Sequence, residues 1–240
     1  MVISRMQLVK ELEPGLNALF GLEYDRYENQ HTEIFDNESS DRAFEEEVML
    51  GGFGNAEVKP EGSGVTYEDA QETFTARYTH ETIALAFALT EEAVEDNLYD
   101  KISTRYTKAL ARSMANTKQV KAANILNRGF NSSYLGGDDK ELLATDHTTL
   151  GADQKNELST AADLNETSLE QALIDVAGMK DERGLKIALR AMKMIIPVNL
   201  QFVAERLMKS AGRVGTADND INAIKSMGMV PQGYVVNNFL

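Results

Sequence analysis

The most sustained hydrophobic period in the chain begins at Thr90 and ends before Gly129. Between these residues apolar side chains recur every three or four positions, and no Gly or Pro interrupts them, which is typical of one face of an α-helix. Thr90 suits the N-cap, acidic residues follow it, and basic residues lie toward the other end, as the helix dipole favours. The pattern predicts a helix of about 38 residues, a rod of roughly 57 Å. Its expected buried stripe is Val94, Leu98, Ile102, Tyr106, Ala109 and Ser113.

A two-residue alternation precedes this helix. Phe74, Ala76 and Tyr78 alternate with polar neighbours in a segment that runs from residue 65 to 82, and a second strand-like segment covers residues 44–59. Pro and Gly between the two segments are typical of a loop tip. The sequence therefore predicts a hairpin with arms of about 13 residues each. Because an isolated hairpin is marginally stable in water, we expect this one to lean on a neighbour.

Weaker patterns flank these two elements. Residues 6–20 predict a short helix interrupted at Pro14-Gly15. Residues 21–43 are polar and acidic without a period, and they predict an extended arm that needs an external surface. Beyond Gly129 a polar loop region precedes a predicted helix from Ser168 to Lys180, capped by Thr167 or Ser168. A buried strand is predicted over 185–197 and a short strand over 234–236. Between them a helix is predicted over 198–210, with one face formed by Leu200, Val203, Ala204 and Leu207.

Composition limits the class of protein. With 42% hydrophobic and 26% charged residues, the chain is typical of a soluble globular protein. The absence of Cys excludes disulfides, cysteine-ligated zinc, iron–sulfur clusters and a thiol nucleophile. The longest apolar run, residues 83–89, is far shorter than the roughly 20 residues that span a bilayer. The first residues lack the apolar core of a secretory signal, so we expect a cytoplasmic origin and no membrane association.

The net charge of −14 is unevenly distributed. Residues 1–100 carry 6 basic and 23 acidic side chains, a balance of −17, whereas residues 101–240 carry 18 basic and 15 acidic, a balance of +3. The total argues against an independent nucleic-acid-binding domain. Three alternatives are open for the basic face of the predicted helix: solvent contact alone, pairing with acidic residues of a neighbouring copy, or contact with nucleic acid. That face consists of Lys101, Arg105, Lys108 and Arg112.

Candidate catalytic and metal-binding motifs are few. The chain has neither a phosphate-binding glycine loop nor a G-x-S-x-G nucleophile motif. Asp218, Asp220 and Asn222 have the first spacings of a calcium loop but lack its Gly and its bidentate Glu, so helix capping or loop hydrogen bonding is the expected use. No histidine has a second one at i+3 or i+4, and we interpret all three as surface or loop residues. They are His31, His80 and His147.

The order of arm, long hairpin, long helix and mixed α/β region resembles the major capsid protein of tailed bacteriophages, of the Hong Kong 97 type. The passage from that family's extended loop into its spine helix is similar to TARYTHETIALAFALTEEAVEDNLYDKI, and the remainder of the helix with its following loop is similar to ARSMANTKQVKAANILNRGFNSSYLGGDDKELLATDHTTLG. The entry into the axial domain is similar to DERGLKIALRAMKMIIPVNLQFVAERLMKS followed by GTADNDINAI. The similarity spans about residues 10–240 and most resembles the branch of Mu-like prophage head subunits.

The resemblance implies an α+β fold of the Hong Kong 97 type. Family members continue past the position of Leu240 with strands that complete their sheets, so we expect the chain to be truncated or incompletely built there. The implied parts are an N-terminal arm (1–43), an extended loop formed by the hairpin (44–82), a peripheral domain (83–165) with the spine helix at about 90–129, and an axial domain (166–240) that is incomplete at its C-terminus.

The resemblance also implies a structural protein and not an enzyme, with no catalytic residue, cofactor or metal. The chain would be the major head subunit, made in the host cytoplasm and assembled as hexamers and pentamers into the icosahedral shell of the virion. Packaged DNA would make weak, non-specific contact with the shell. Since only about 40 residues precede the hairpin, we expect a separate scaffolding protein, and the portal is a further expected partner. A decoration protein is left open.

Contacts between subunits are expected in three places. Acidic residues of the arm and hairpin should face basic groups of adjacent copies, the loop tip should touch a neighbour, and the basic face of the long helix should receive acids. The corresponding residues are Glu33, Asp36, Glu38, Asp41, Glu45, Glu46 and Glu47 in the first set, Lys59, Pro60, Glu61 and Gly62 in the second, and Lys101, Arg105, Lys108 and Arg112 in the third.

An alternative function belongs to another class. The chain could be a soluble homo-oligomeric enzyme or binding protein whose site is assembled from several copies. The best candidates for such a site are the loop carboxylates Asp138, Asp139 and Asp146.

Overall fold

Helices and strands both contribute to the structure, a computed structural model that describes residues 5–88, 99–213 and 220–240 and all of their side chains except those of 5–14 and 99–102. The elements in chain order are α1 (Arg5–Tyr24), a 3-10 turn (Gln30–Glu33), β1 (Phe44–Gly51), β2 (Gln71–Thr79), α2 (Tyr99–Asn127), α3 (Glu166–Gly178), β3 (Met194–Pro197), a 3-10 turn (Val198–Leu200), α4 (Gln201–Lys209), α5 (Ala223–Met227) and β4 (Tyr234–Asn237).

The chain divides into two compact units. The first combines Met1–Asn37 with Glu81–Ala123, and the second combines Glu38–His80 with Asn124–Leu240. The four-part division that the resemblance implies stays a prediction. Among the described residues, no helix combines the length and the apolar character that crossing a membrane requires.

Helix α1 belongs to the first unit and continues through Pro14 and Gly15 without a break. The predicted interruption at this dipeptide is therefore wrong. A proline inside a helix loses one backbone hydrogen bond, at a cost of about 3 kcal/mol, but most of the flanking residues are Leu, Glu, Lys and Ala, which favour the helix.

The segment after α1 is also more ordered than its sequence predicts. The backbone N–H of His31 donates to Gln119 Oε1 on α2 over 3.1 Å, and Gln119 Nε2 donates to the carbonyl of Glu28 over 3.2 Å. His31 lies in the 3-10 turn and is only 4% exposed, so of the two predicted environments, surface or loop, it has the loop one and is buried there. The turn at Gln30–Glu33, within the segment that was predicted to be extended, therefore packs on α2 of its own chain, whereas residues 36–43 are exposed.

Helix α2 confirms the predicted long helix over the part of it that the structure describes. Thr90, Val94 and Leu98 lie outside the described residues, and the side chain of Ile102 is not described. The predicted stop is confirmed, because α2 ends at Asn127 and a Cβ on Gly129 would lie 3.1 Å from Leu143 Cδ1.

The buried stripe of α2 differs from the predicted one. Tyr106, Ala109 and Ser113 are exposed. A row of small and polar residues is buried in their place, and its four-residue spacing advances about 40° around the helix per step. Small side chains allow neighbouring segments of the chain to pack close to the helix. The packing of those segments, and not the hydrophobicity of the α2 residues, therefore determines which face of α2 is buried. The buried row is Ser103, Thr107, Ala111, Ala115, Gln119 and Ala123.

Strands β1 and β2 form the predicted antiparallel hairpin in the second unit. The register pairs Phe44 with Thr79 and Gly51 with Gln71, with an irregularity between Val48 and Leu50. The strands contain 8 and 9 residues, so the predicted arms of about 13 residues were too long. Glycines at positions 51, 52, 54, 62 and 64 explain the early end of pairing, because glycine disfavours strands.

The remaining elements enclose a small hydrophobic core. It contains Leu169 and Leu173 of α3, Leu207 of α4, Ile224 of α5 and Val230. Ala204 and Leu207 of the predicted apolar face are buried, with Leu200 and Val203 partly buried. The predicted strand at 234–236 is confirmed as β4, which pairs in parallel with β3.

Two predictions in this region need correction. Only Met194–Pro197 of the predicted strand 185–197 is a strand; Ala188 has a φ of 55°, which an extended chain cannot adopt. Helix α3 begins at Glu166 because Asn165, and neither Thr167 nor Ser168, is its N-cap. Asn165 Oδ1 accepts from the Ser168 N–H over 2.9 Å, and Ser168 Oγ accepts from the Asn165 N–H over 3.0 Å.

Candidate functional site

The hairpin carries the acidic run from Glu45 to Glu47, and only part of this run is available to a partner. Glu46 accepts from Arg77 Nε across the strands over 2.7 Å. Glu45 Oε2 lies 3.6 Å from Arg42 Nη1. The side chain of Glu47 is exposed and has no ion pair or hydrogen bond within the described residues. Of the three glutamates, Glu47 is therefore the one whose charge the chain itself does not neutralise.

Residues 52–70 form an exposed loop between the strands. Val58 is 93% exposed and Tyr67 is 94% exposed, and Phe53 and Val65 are also mostly in solvent. At the tip, the Ser63 N–H donates to the Pro60 carbonyl over 3.3 Å, and Gly62 adopts a φ of 82°. A positive φ at the third residue of a turn is typical of type II and favours glycine. The predicted loop tip is therefore a turn, and the loop on either side of it presents large apolar side chains to solvent.

The strand pair packs closely against the rest of the second unit, which we call its body, at two glycines, Gly51 and Gly137. A Cβ on Gly137 would lie 2.8 Å from Phe74 Cδ2 and 3.1 Å from the backbone nitrogen of Ala76. A Cβ on Gly51 would lie 2.5 Å from Leu150 Cδ1. Neither position has room for a side chain without displacement of its neighbour, so both glycines allow a close approach that fixes the hairpin.

The basic face of α2 is also only partly available. Lys108 Nζ lies 3.1 Å from Glu23 Oε1 in the same chain. Hydrogen bonds from Lys108 and Arg26 outweigh partial burial and lower the pKa of Glu23 below its usual value. Arg105 and Arg112 are exposed and have no ion pair in the part of the chain that the structure describes. The side chain of Lys101 lies outside the described residues.

The other predicted contact residues are also exposed. Asp36, Glu38 and Asp41 precede β1, and the tip residues Lys59, Pro60, Glu61 and Gly62 project with the loop; Glu33 lies in the 3-10 turn. Whether any of these residues contacts a second copy stays a prediction.

The loop carboxylates of the alternative function are used within the chain. Asp138 Oδ2 lies 2.6 Å from His147 Nδ1, and Asp146 forms an ion pair with Lys140. Burial raises the pKa of Asp138, but hydrogen bonds from His147 and from the Lys140 N–H together lower it by more. The pKa of Asp138 is therefore below its usual value. Asp139 occupies the turn with a φ of 58°. Two of the three carboxylates, Asp138 and Asp146, are thus each paired with a base of the same loop.

Cavity and metal geometry give no further support to a catalytic site. A cavity of about 360 Å³ lies beside the start of α3 and is lined by Lys155, Leu158, Asn165 and Asp175 among others, and none of the three loop carboxylates lines it. No group of three metal-ligating side chains occurs among the described residues. Asn222, which began as a calcium-loop candidate, caps α5 by accepting from the Lys225 N–H over 3.2 Å.

The fold of this chain is that of a phage capsid subunit. A chain in the structure "Procapsid of bacteriophage JBD30 computed in I4 symmetry" superposes with a TM-score of 0.65 at 14% identity, covering 99% of this chain and 100% of that one. A chain of the JBD30 capsid decorated with minor capsid protein trimers superposes with a TM-score of 0.60 at 13% identity, covering 84% of this chain and 87% of that one. No curated protein sequence matches.

Sequence comparison gives the family directly. Residues 72–240 match the family described as Phage capsid protein. The chain belongs to the phage capsid protein family and is a structural subunit of a phage capsid. The resemblance to phage major capsid proteins is thereby confirmed, and family and fold both point to a structural protein.

Several residues that position the hairpin were missed from sequence alone. Gly51 and Gly137 show no local pattern that marks them, since each acts through a contact distant in the chain. The same holds for Glu68 of the loop and for Arg183, whose Nη1 donates to Glu68 Oε1 over 3.1 Å. The one usable signal was the excess of glycine around the hairpin, because an isolated glycine in a strand pattern marks a close backbone approach.

Proposed function

We propose that this chain is the major head subunit of a tailed-phage virion and that it assembles, as hexamers and pentamers, into an icosahedral shell of the Hong Kong 97 type. The observation that carries this proposal is the loop at residues 52–70, whose apolar side chains Val58 and Tyr67 are almost fully exposed. Four large apolar residues of this one loop, Phe53, Val58, Val65 and Tyr67, are at least 60% exposed, and exposed apolar surface is typical of a protein–protein contact. A second copy of the chain is the partner that a capsid subunit always has beside it.

Charge supports the same arrangement. Asp36, Glu38, Asp41 and Glu47 are exposed acids in or before the hairpin, and Arg105 and Arg112 are exposed bases on α2. Complementary charge on two surfaces of one chain favours head-to-tail contact between copies. We therefore assign the hairpin acids to the basic face of a neighbouring α2, where each pair contributes modestly and the lattice multiplies the effect.

Assembly also requires control. A chain that exposes Val58 and Tyr67 before it finds its neighbours can associate in unproductive ways. We propose a separate scaffolding protein that orders the first contacts, and a portal at which assembly begins. Packaged DNA would contact the basic residues weakly, because the net charge of −14 opposes tight binding.

Electron microscopy of purified chain tests the proposal. The chain is produced with its candidate scaffolding protein and, separately, alone. Shells several hundred ångströms across are expected from co-expression, whereas small discrete oligomers would favour the enzyme or binding-protein alternative. Uniform shells of the correct size from the chain alone would contradict the separate scaffolding protein but not the capsid function.

A further inference from the structure

Arg183 lies at the base of the exposed loop on a tightly bonded turn. Asp181 Oδ1 accepts from the Arg183 N–H over 3.0 Å and from the Leu185 N–H over 2.6 Å. The Gly184 N–H donates to the Asp181 carbonyl over 3.0 Å, with a φ of 86° that only glycine adopts readily. The side chain of Arg183 is 19% exposed. The guanidinium is therefore presented to the loop by a fixed backbone.

The guanidinium joins this turn to the loop through two hydrogen bonds. Arg183 Nη1 donates to Glu68 Oε1 over 3.1 Å, and Nη2 donates to the Asp69 carbonyl over 3.0 Å. The second oxygen of Glu68 accepts from the Gly54 N–H over 2.8 Å. Glu68 thus connects the chain that leaves β1, the chain that enters β2, and the body of the second unit.

We propose that Glu68 and Arg183 form a latch that fixes the direction of the loop in the unassembled subunit, before it meets a second copy. Between Gly54 and Glu68 lie 13 residues, 55–67. Within the described residues, their only hydrogen bonds belong to the turn between Pro60 and Ser63. In the described part of the chain, the bonds of Glu68 to the Gly54 N–H and to Arg183 are therefore the hydrogen bonds that hold the two ends of this span, so Arg183 is a positioning residue for the loop.

The strand pair does not depend on this latch. Gly51 and Gly137 seat β1 and β2 on the body through close contacts with Leu150, Phe74 and Ala76. Loss of the Arg183 guanidinium should therefore free the loop while the hairpin stays seated and the unit stays folded. This separation makes the latch testable in a folded protein.

The importance of the latch for assembly rests on the proposed function. A binding segment that spends only a fraction of its time in the competent direction has its apparent affinity reduced by that fraction. A tenfold fall in this fraction therefore weakens each loop contact about tenfold. Since every subunit of a shell carries one loop, the loss is repeated throughout the lattice.

The first test is made on the unassembled subunit. Cleavage by a glutamate-specific protease after Glu57 and Glu61, identified by mass spectrometry, measures the freedom of the loop. We expect Arg183→Gln to raise the cleavage rate about tenfold, following the population argument, and Arg183→Lys, which keeps one donor group, to raise it less. Arg213→Gln is the matched control, because Arg213 Nε pairs with Glu166 over 3.0 Å in the same unit without touching the loop.

Cleavage of Arg183→Gln at the wild-type rate, or equal acceleration in Arg213→Gln, would overturn the latch. Shell yield is measured next, and we expect Arg183→Gln to lower it about tenfold at limiting subunit concentration. Wild-type yield from a variant with faster cleavage would refute the role of the latch in assembly and leave the capsid function intact. If the wild-type chain forms no shells, the proposed function fails, and the cleavage rates alone decide the latch.

Discussion

Two regions of the second unit solve the problem of apolar burial in opposite ways. The core of α3, α4 and α5 buries Leu169, Leu207 and Ile224 against residues of the same chain. The hairpin keeps only Gly51 buried along β1 and no residue buried along β2, and its loop exposes Val58 and Tyr67 almost completely. The first region folds on its own contacts, whereas the second has apolar surface that a single copy leaves in water.

On the proposed function, the difference separates the residues that maintain the fold from those that we expect to contact a neighbouring subunit. A change in the core should act on the free energy of unfolding, because it removes buried contacts. A change in the exposed loop should act on shell formation and leave the unfolding of the subunit unaltered. Three changes test this separation, from the largest expected effect to the smallest, and a fourth tests the charge contact between Glu23 and Lys108 in the first unit.

Deletion of residues 59–64 should abolish shells. The deletion removes an exposed turn whose hydrogen bonds, among the described residues, all lie within it, from Ser63 to the Pro60 carbonyl. The melting temperature of the subunit should stay at the wild-type value, because no buried group is lost. Shells from the deleted chain, counted by electron microscopy, would show that the loop tip is not an assembly contact.

Leu207→Ala should destabilise the subunit by about 2–5 kcal/mol, as for other large-to-small changes in a core. Leu207 is 3% exposed and packs among the helices of the second unit. Urea unfolding measures the loss. The matched control is Phe202→Ala on the same helix, where the side chain is exposed and its truncation should cost little. Equal losses in the two variants would contradict the core assignment.

Glu47→Lys should lower shell yield and make the remaining assembly less sensitive to salt. Reversing the charge of all three hairpin glutamates would also break ion pairs within the subunit, since Glu46 pairs with Arg77 and Glu45 with Arg42. Asp163→Lys is the control, because it changes the net charge equally at an exposed position outside the hairpin. Light scattering across a salt series gives both quantities. The same yield and salt dependence for wild type and Glu47→Lys would refute pairing with a neighbouring basic face.

The contact between Glu23 and Lys108 should contribute to stability in a pH-dependent way. Because the pKa of Glu23 is lowered from 4.5 in the folded chain, its contribution is present above this value and is lost as the pH falls through the folded pKa. The difference in urea midpoint between wild type and Glu23→Gln should therefore be largest near neutral pH and shrink below about 4.5. A difference that does not change with pH would mean that charge is not the cause.

Local periodicity was sufficient for the elements that depend on few distant contacts. The hairpin, the end of α2 before Gly129 and the buried face of α4 with Leu207 all follow from spacing along the chain. The spacing of charged residues also identified the acids and bases of the candidate surfaces. It could not predict which of them form ion pairs within the chain, such as Lys108 with Glu23.

Contacts between distant segments were beyond the reach of the sequence. The buried row of α2 was mispredicted because small residues such as Ser103 and Ala111 are buried by what packs on them and not by their own hydrophobicity. Arg183 and Glu68 are 115 residues apart, and neither stands in a motif. The burial of His31 within its turn was not predicted either, since this turn bonds to Gln119 of α2, 88 residues away in the chain.

The contrast between core and loop can be measured directly at Val58. The chain contains no cysteine, so Val58→Cys introduces a single thiol on an otherwise unreactive background. In the free subunit this position is 93% exposed, and a maleimide reagent should label it rapidly. We predict that labelling slows by at least about tenfold once shells have formed, because a neighbouring subunit covers the loop. Equal labelling rates in free subunits and in intact shells would contradict the account.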